Sequence, residues 1–313
     1  MSPRAATVVI CAHSTDRWEV LNRGLDATLA QEPAPREVVV VVDDEPELLA
    51  RLQSERPEVR AVANARTPGA CGARNTGAQY AGEGEVLVFL DDDAVPEPGW
   101  LRAHLGAYDD PTVVGTGGPV LPAWRSGEPR WFTPELLWVV GCTWTPGSAE
   151  AVEVRNPIAA NMTVDADRYR AAGGFDEPLG RLNRNGRMSG TAEETELAVR
   201  IARGSHGGRW VIVPHATVAH DVPASRGTVR YLVRRCGVEG RAKATLSRLD
   251  RSGAMLSSER SYVARDVPLA ILRELRGVLR GSTAGIARAT ALGGAVAVTA
   301  SAYAAERVRS ALA

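Results

Sequence analysis

Three consecutive carboxylates, Asp91-Asp92-Asp93, close the apolar run Glu85-Val86-Leu87-Val88-Phe89-Leu90 and lead into Ala94-Val95-Pro96-Glu97-Pro98-Gly99-Trp100. Adjacent carboxylates repel one another, and burial raises their pKa values unless a cation compensates. Oxygen ligands of this kind suit a hard divalent ion such as Mg2+ or Mn2+, which bridges protein carboxylates to the phosphates of a substrate. A second acidic pair, Asp43-Asp44, follows the run Glu37 to Val42, and Asp16-Arg17 lies in the loop after Thr7 to Cys11. Taken singly, each is equally well a solvated acidic turn. Three of them at the ends of successive strand-like runs favour a nucleotide-and-metal site, because ligands of open α/β sheets bind outside the carboxyl ends of the strands. Glu193 and Glu194 open a further helix that Thr191 can cap, a placement the helix dipole favours without any catalytic role. His220 gains a role only if it faces the aspartates.

These groups must be positioned by the elements around them. Thr7 to Cys11, Glu37 to Val42, Val59 to Val62 and Glu85 to Leu90 read as buried strands. Between them, Trp18 to Ala30 has helical spacing, with Trp18, Leu21, Leu25 and Leu29 on one face; Leu48 to Glu55 and Ala70 to Tyr80 are also expected to be helical. This alternation over about the first hundred residues predicts an α/β fold with a doubly wound, mostly parallel sheet. Further on, Val113 to Val120 reads as a strand broken by Gly115, Gly117 and Gly118. Asp165 to Ala172 reads as a helix, Gly173-Gly174-Phe175-Asp176 as a turn, Arg181 to Gly190 as a loop and Trp210 to Val213 as a strand. His215 and His220 flank one more short apolar run. Trp124, Trp131, Trp138 and Trp144 lie within about twenty residues and are either core or the wall of a sugar-stacking pocket.

The chain has 313 residues, 44% of them hydrophobic, which suffices for one large α/β domain with an appendage. Lys+Arg and Asp+Glu number 37 each, so net charge gives no reason to expect a nucleic-acid partner. Cys11, Cys71, Cys142 and Cys236 are widely spaced and read as reduced cytosolic thiols. No secretory signal is evident before the first strand, and the uncharged stretch Ala289 to Ala305 is only weakly apolar, so a cytoplasmic protein is expected. No G-x-G-x-x-G follows the first strand and no G-x-x-x-x-G-K-[ST] is present, which disfavours a dinucleotide fold and excludes a P-loop.

In combination, several stretches resemble the family 2 glycosyltransferases of GT-A fold. They are the first strand and loop to Arg17, Val42-Asp43-Asp44, Gly72-Ala73-Arg74-Asn75-Thr76-Gly77, Phe89 to Asp93 with Pro96 and Trp100, Gly173-Gly174-Phe175, Glu193 to Leu197 with Arg200, and His220. Trp138 to Cys142 and Arg155-Asn156-Pro157 are similar to a subgroup acting on lipid-linked sugars. The resemblance implies a catalytic domain over residues 1–222, a helical extension over 223–313, and inverting transfer from a nucleotide-diphosphate sugar, UDP being the expected nucleoside diphosphate, with a divalent metal. It places Ala12, Asp16, Arg17, Asp43, Asp44, Arg74, Asp91, Asp92 and Gly174 at the nucleotide sugar. Asp91, Asp93 and His220 fall at the metal (Mn2+ or Mg2+), with Glu194 as general base and Glu193 beside it. Glutamate stands at Glu194 where the family more often has aspartate, and His13-Ser14-Thr15 stands where Tyr-Asn is more usual. The acceptor class is a lipid-linked or cell-surface saccharide. A metal-dependent sugar nucleotidyltransferase and a catalytically silent sugar-nucleotide-binding protein are the alternatives.

Beyond residue 222 only periodicity speaks. If Arg226 to Leu249 is one helix, Arg226, Arg230, Arg234, Arg241 and Arg248 share an arc of roughly 80°. Val267, Ile271, Leu275, Val278 and Leu279 then form an apolar stripe. A basic face near an apolar stripe suits either a peripheral membrane contact through 226–280, at the inner face of the cell membrane, or packing on the catalytic domain.

Overall fold

The structure is a computed structural model that describes residues 4–143, 150–180, 192–205, 207–250 and 253–312. The loop expected over Arg181 to Gly190, the Thr191 cap and Trp144 lie outside the described residues. Two compact units are formed. One takes in the described residues of 1–121, 145–188 and 193–220; the other those of 122–144, 189–192 and 221–313.

The first unit begins with four strands, β1 (Ala6–Ala12), β2 (Glu37–Val42), β3 (Arg60–Ala63) and β4 (Val86–Asp91). They alternate with α1 (Trp18–Leu29), α2 (Pro46–Glu55) and α3 (Ala70–Ala78). After them come β5 (Ala94–Pro96), α4 (Trp100–Gly106), β6 (Val113–Gly117), β7 (Val120–Trp124), β8 (Val152–Val154) and β9 (Asn161–Asp165). Then follow α5 (Ala166–Ala171), α6 (Glu193–Gly204), β10 (Arg209–Ile212) and β11 (Val218–Val222); the last residues of β7, from Pro122, and of β11, from Asp221, are counted with the second unit. The main sheet has the order β3-β2-β1-β4-β9-β6-β10-β8, and a small sheet the order β5-β11-β7. β1, β2, β3 and β4 run parallel, β9 runs antiparallel between β4 and β6, and β8 lies antiparallel on the edge. The valine runs of β2 and β4 are buried on both faces, as strands covered by helices on either side must be.

Several elements depart from expectation for identifiable reasons. β3 starts one residue late, after a buried Val59. β6 passes through Gly115 without a break. A Cβ at Gly115 would lie 2.2 Å from the Trp210 ring, so glycine here makes room for a fully buried indole. His220 lies inside β11 and does not flank it.

Behind the β4 end, Asn161 ties four segments together. Its Oδ1 accepts from the Trp100 indole (2.8 Å) and from His104 Nε2 (2.9 Å), and its amide donates to the Ala216 carbonyl (2.7 Å). His104 Nδ1 is 2.6 Å from the Thr116 hydroxyl, and this pattern requires the neutral Nε2–H tautomer. Complete burial pushes the His104 pKa down to about 4, the Asn161 hydrogen bond only partly opposing it.

In the second unit, Trp124 and Trp131 meet Phe132 edge-on at 4.9 and 5.6 Å, and the Trp138 indole donates to the Tyr262 hydroxyl. These three tryptophans therefore pack within their own unit. The helices are α7 (Val229–Leu249), α8 (Ser257–Ser261), α9 (Val267–Leu279) and α10 (Gly285–Leu312). Arg226 belongs to a separate 3-10 turn before α7, so the five-arginine arc is not a single helix face. Gly240 lies within α7 because a Cβ there would come 2.3 Å from the Thr299 carbonyl of α10. Among the described residues no helix is long and apolar enough to cross a membrane.

Neutral His104 gives a pH test of the Asn161 hub. Its stabilisation is fully present above the unfolded-state pKa of about 6.5 and is lost as pH falls toward 4. The loss is at most about 3 kcal/mol, from 1.36 kcal/mol per pKa unit. His104→Gln should be less stable than wild type at pH 7 in urea melts and should lose less stability between pH 7 and 4.5. Equal pH slopes in the two proteins would remove His104 as the acid-sensitive group.

Candidate metal and nucleotide-sugar site

The parallel register places Cys11 opposite Asp91 and Ala12 opposite Val42, so β1, β2 and β4 end on one edge. Asp91 is the last residue of β4, and Asp92-Asp93 turn the chain into β5. β5 pairs antiparallel with β11, with Ala94 opposite His220. That pairing brings the His220 imidazole to Asp93, Nε2 to Oδ1 being 3.0 Å. Ligand atoms of Asp91, Asp93 and His220 all lie within 4.8 Å of one another. Two carboxylates and an imidazole converging in this way fit a divalent cation.

Two arginines offset the remaining negative charge. Arg17 ends the short turn Thr15–Arg17, where the Ser14 hydroxyl accepts from Asp16 N; its guanidinium bonds Asp92 and stands 3.1 Å from Asp93 Oδ2. His13 Nδ1 is 3.7 Å from Asp92. Burial pushes Asp92 up to about 6, with Arg17 pulling the other way and Asp93 adding to the rise. Asp16 is exposed on the turn, and the contact to the aspartates is made by Arg17. Arg74 is buried on α3, 3.2 Å from Asp91, 3.8 Å from Glu193 and over the Phe175 ring at 5.3 Å. Burial works against its charge, yet Asp91 and the neighbouring glutamates outweigh it, so its pKa lies above the ordinary arginine value. The Cys11 thiol at this edge is pushed up to about 12 by burial and stays protonated.

The Gly72-to-Gly77 stretch shows why Arg74 can stand there. A Cβ at Gly72 would lie 1.9 Å from the Thr67 carbonyl, and one at Gly77 would lie 2.3 Å from Val9, so both glycines let α3 settle onto its neighbours. Asn75 accepts from Phe175 N (2.9 Å) and the Tyr169 hydroxyl, and donates to the Phe175 carbonyl (3.0 Å). Gly174 has φ 76°, and a Cβ there would come 2.5 Å from Asn75 Oδ1. Gly174 thus belongs to the turn that seats Phe175 under Arg74. Asp43 is held by Asn64 Nδ2 (2.6 Å) and Gly69 N (2.7 Å), while its own N–H donates to Ala12 O (2.8 Å). Asp44 is exposed with φ 55°, an uncommon left-handed conformation for a non-glycine residue.

Glu193 and Glu194 occupy the first turn of α6. Glu193 is buried on the Arg74 side; Glu194 is half-buried and accepts from Ala159 N over a long 3.5 Å. Arg200, one turn down, pairs with Glu196 and donates to the Gly174 carbonyl at 2.9 Å, fastening α6 to the Gly173-Gly174 turn. The supporting roles of His13, Asn64 and Glu177 were not legible in the sequence. The contacts that give them those roles, His13 to Asp92, Asn64 to Asp43 and Glu177 to Asn75, span 79, 21 and 102 residues and carry no local pattern. A cleft of about 430 Å³ lies beyond Asn75, but Arg66–Glu177 and Arg200–Glu196 pairs occupy its polar lining, and its aspartate is Asp176, not Asp91, Asp92 or Asp93.

Residues 7–142 match the family described as Glycosyl transferase family 2. A glucosyl-dolichyl phosphate glucuronosyltransferase of Haloferax volcanii is 31% identical over 247 residues, which are 78% of this chain and 77% of that protein. The chain belongs to glycosyl transferase family 2. Mouse polypeptide N-acetylgalactosaminyltransferase 15 is 31% identical over 69% of the chain, which spans only 35% of that longer protein. Among solved structures, the mannosyltransferase PcManGT of Pyrobaculum calidifontis with GDP-Man and Mn2+ superposes with a TM-score of 0.58 at 18% identity. That match covers 98% of this chain and 89% of the other. GalNAc-T7 with UDP, GalNAc and Mn2+ gives 0.56 at 16% identity, over 84% of this chain and 58% of that one. These structures establish the fold as GT-A. Family membership makes the protein a glycosyltransferase and sets the nucleotidyltransferase alternative aside.

Asp93→Asn should leave the circular dichroism spectrum unchanged and weaken Mn2+-dependent UDP binding in calorimetry. The loss should be at least the about 10–100-fold that removal of a ligand's outer-shell partner costs. Unchanged affinity in the presence of Mn2+ would take Asp93 out of the site.

Proposed function

We propose that this family 2 glycosyltransferase moves a sugar, with inversion, from a UDP-sugar to a hydroxyl of a lipid-linked saccharide, working as a peripheral protein at the cytoplasmic face of the membrane. In this assignment residues 1–222 are the catalytic domain and 223–313 its helical extension. The observation that carries it is the convergence of Asp91 and Asp93, at the end of β4 and in the turn after it, with His220 of β11, more than a hundred residues on. The lipid-linked acceptor is favoured because the Haloferax volcanii relative, alike over most of both chains, is a glucosyl-dolichyl phosphate glucuronosyltransferase; a UDP-sugar donor follows the UDP held by GalNAc-T7, against the GDP-Man of PcManGT.

Asp43 and Asp44 face the base and ribose, with Ala12 and the Asp16-Arg17 turn alongside. Asp91, Asp92, Arg74 and the Gly174 turn line the diphosphate and sugar. Asp91, Asp93 and His220 hold the divalent ion, which when bound supplies Lewis-acid stabilisation of the diphosphate. Glu194 takes the proton of the acceptor hydroxyl as its oxygen attacks the anomeric carbon, and the bond to the diphosphate breaks with its electron pair leaving on the diphosphate oxygen. Fixed buried cations placed where that charge develops lower the barrier without reorganising, and Arg74 is suited to this. Glu193, beside Arg74, orients; Glu194 has the looser contacts expected of a group that must reach substrate.

Glu194→Gln should bind UDP with Mn2+ as wild type does and turn over about 10²–10⁴ more slowly. An active Glu194→Gln beside an inactive Glu193→Gln would exchange the two roles. The substrate class is tested by incubating the enzyme with UDP-sugars, UDP-glucuronate among them, and a polyprenyl-phosphate-linked glucose, with products read by mass spectrometry. A glycosylated lipid of inverted anomeric configuration is expected. Transfer from GDP-sugars alone, or only to water-soluble saccharides, would contradict it.

A further inference from the structure

Helix α9 has two unlike faces. Val267, Ala270 and Glu274 are buried, with Glu274 paired to Arg273 and 3.7 Å from Arg288. Of the anticipated stripe, Val267 is buried and Ile271 and Val278 are half-buried, so that side packs inward. The other side is apolar and open: Leu269 is 58%, Leu272 43%, Leu275 46% and Leu279 88% exposed. At 3.6 residues per turn these leucines span an arc of about 120°, with Arg276 inside it and Arg280 just past its edge. Arg265 lies in the wider turn Tyr262–Asp266 that leads into α9. Arg265, Arg276 and Arg280 are exposed and form no ion pair among the described residues, and the sole carboxylate of α9 is the buried Glu274. Soluble monomers rarely leave contiguous apolar surface of this kind uncovered.

We propose that this face of α9 lies on an anionic lipid bilayer, the four leucines entering the headgroup–acyl boundary and Arg265, Arg276 and Arg280 meeting anionic headgroups. Leucines on one side of a helix with unpaired arginines beside them are the composition of an interfacial helix. A second copy of the chain is the weaker occupant. A twofold contact through this face would set its arginines against each other with no carboxylate to receive them. The surface differs from the α7 arginine arc, whose first member sits outside the helix. The proposal deepens the lipid-linked acceptor assignment and rests on it for its purpose, but its test uses no sugar, so the two can fail separately.

The test is flotation of the full chain with vesicles of phosphatidylcholine and phosphatidylglycerol in equal parts, against pure phosphatidylcholine. Binding to the anionic vesicles alone, weakening as salt rises, is expected. Leu272→Ser/Leu275→Ser/Leu279→Ser should abolish flotation while keeping the helical spectrum and UDP binding of wild type. Arg276→Gln and Arg280→Gln should each lower the partition coefficient about fivefold, the equivalent of about 1 kcal/mol per charge near an anionic surface. Wild type remaining unbound at low salt would overturn the proposal. So would a dimer in light scattering that the serine substitutions dissolve while vesicle binding is absent.

Discussion

Three carboxylates brought to the end of a buried strand must be compensated, and much of the first unit is arranged around that need. Asp92 and Asp93 are buried, and Asp91 stands at the same edge. Burying an uncompensated carboxylate costs several kcal/mol, and removing the partner of a buried charge leaves that cost exposed. Here Arg17 serves Asp92 and Asp93, Arg74 serves Asp91, and His220 meets Asp93. Three aspartates thus face two fixed cations and one imidazole, which leaves a deficit of positive charge that a divalent ion is suited to fill.

The compensating groups are delivered by elements that have little else in common. Arg17 comes from the first loop, Arg74 from α3 and His220 from β11. Each delivery has its own structural requirement. Gly72 and Gly77 let α3 approach, Asn75 and the positive-φ Gly174 seat Phe175 beneath Arg74, and β5–β11 pairing sets the height of His220. Arg74 also reaches Glu193, so the same buried guanidinium touches the acidic strand end and the first turn of α6. A change at Gly174 would therefore be felt at Arg74, and through it at both.

Much of this was legible in the sequence because it is written in local pattern. The valine-rich runs and intervening helices gave the first sheet half, and the carboxylates after Val42 and Leu90 marked its binding edge. What was not legible depends on tertiary contact. Gly115 looks like a strand breaker until Trp210 is seen to occupy the space of its side chain. His220 looks like a loop residue until β5 pairs with β11. The groups that hold Asp43 in place, Asn64 and Gly69 donating to its two oxygens, come from a segment with no pattern of its own. On α9, periodicity picked out Val267, Ile271, Leu275, Val278 and Leu279 as one stripe, passed over Leu269 and Leu272, and could not say which leucines remain outside. The neighbouring helix decided that.

Whether Asp91, Asp93 and His220 share one cation is read directly by pulsed electron paramagnetic resonance of Mn2+ bound to the protein. Coordination by the imidazole predicts nitrogen modulation of the Mn2+ echo in wild type and its loss in His220→Gln with Mn2+ still bound. His13 lies only 3.7 Å from Asp92, which makes the substituted protein the decisive control. Mn2+ bound without nitrogen modulation, or modulation that persists in His220→Gln, would contradict this assignment of the metal site.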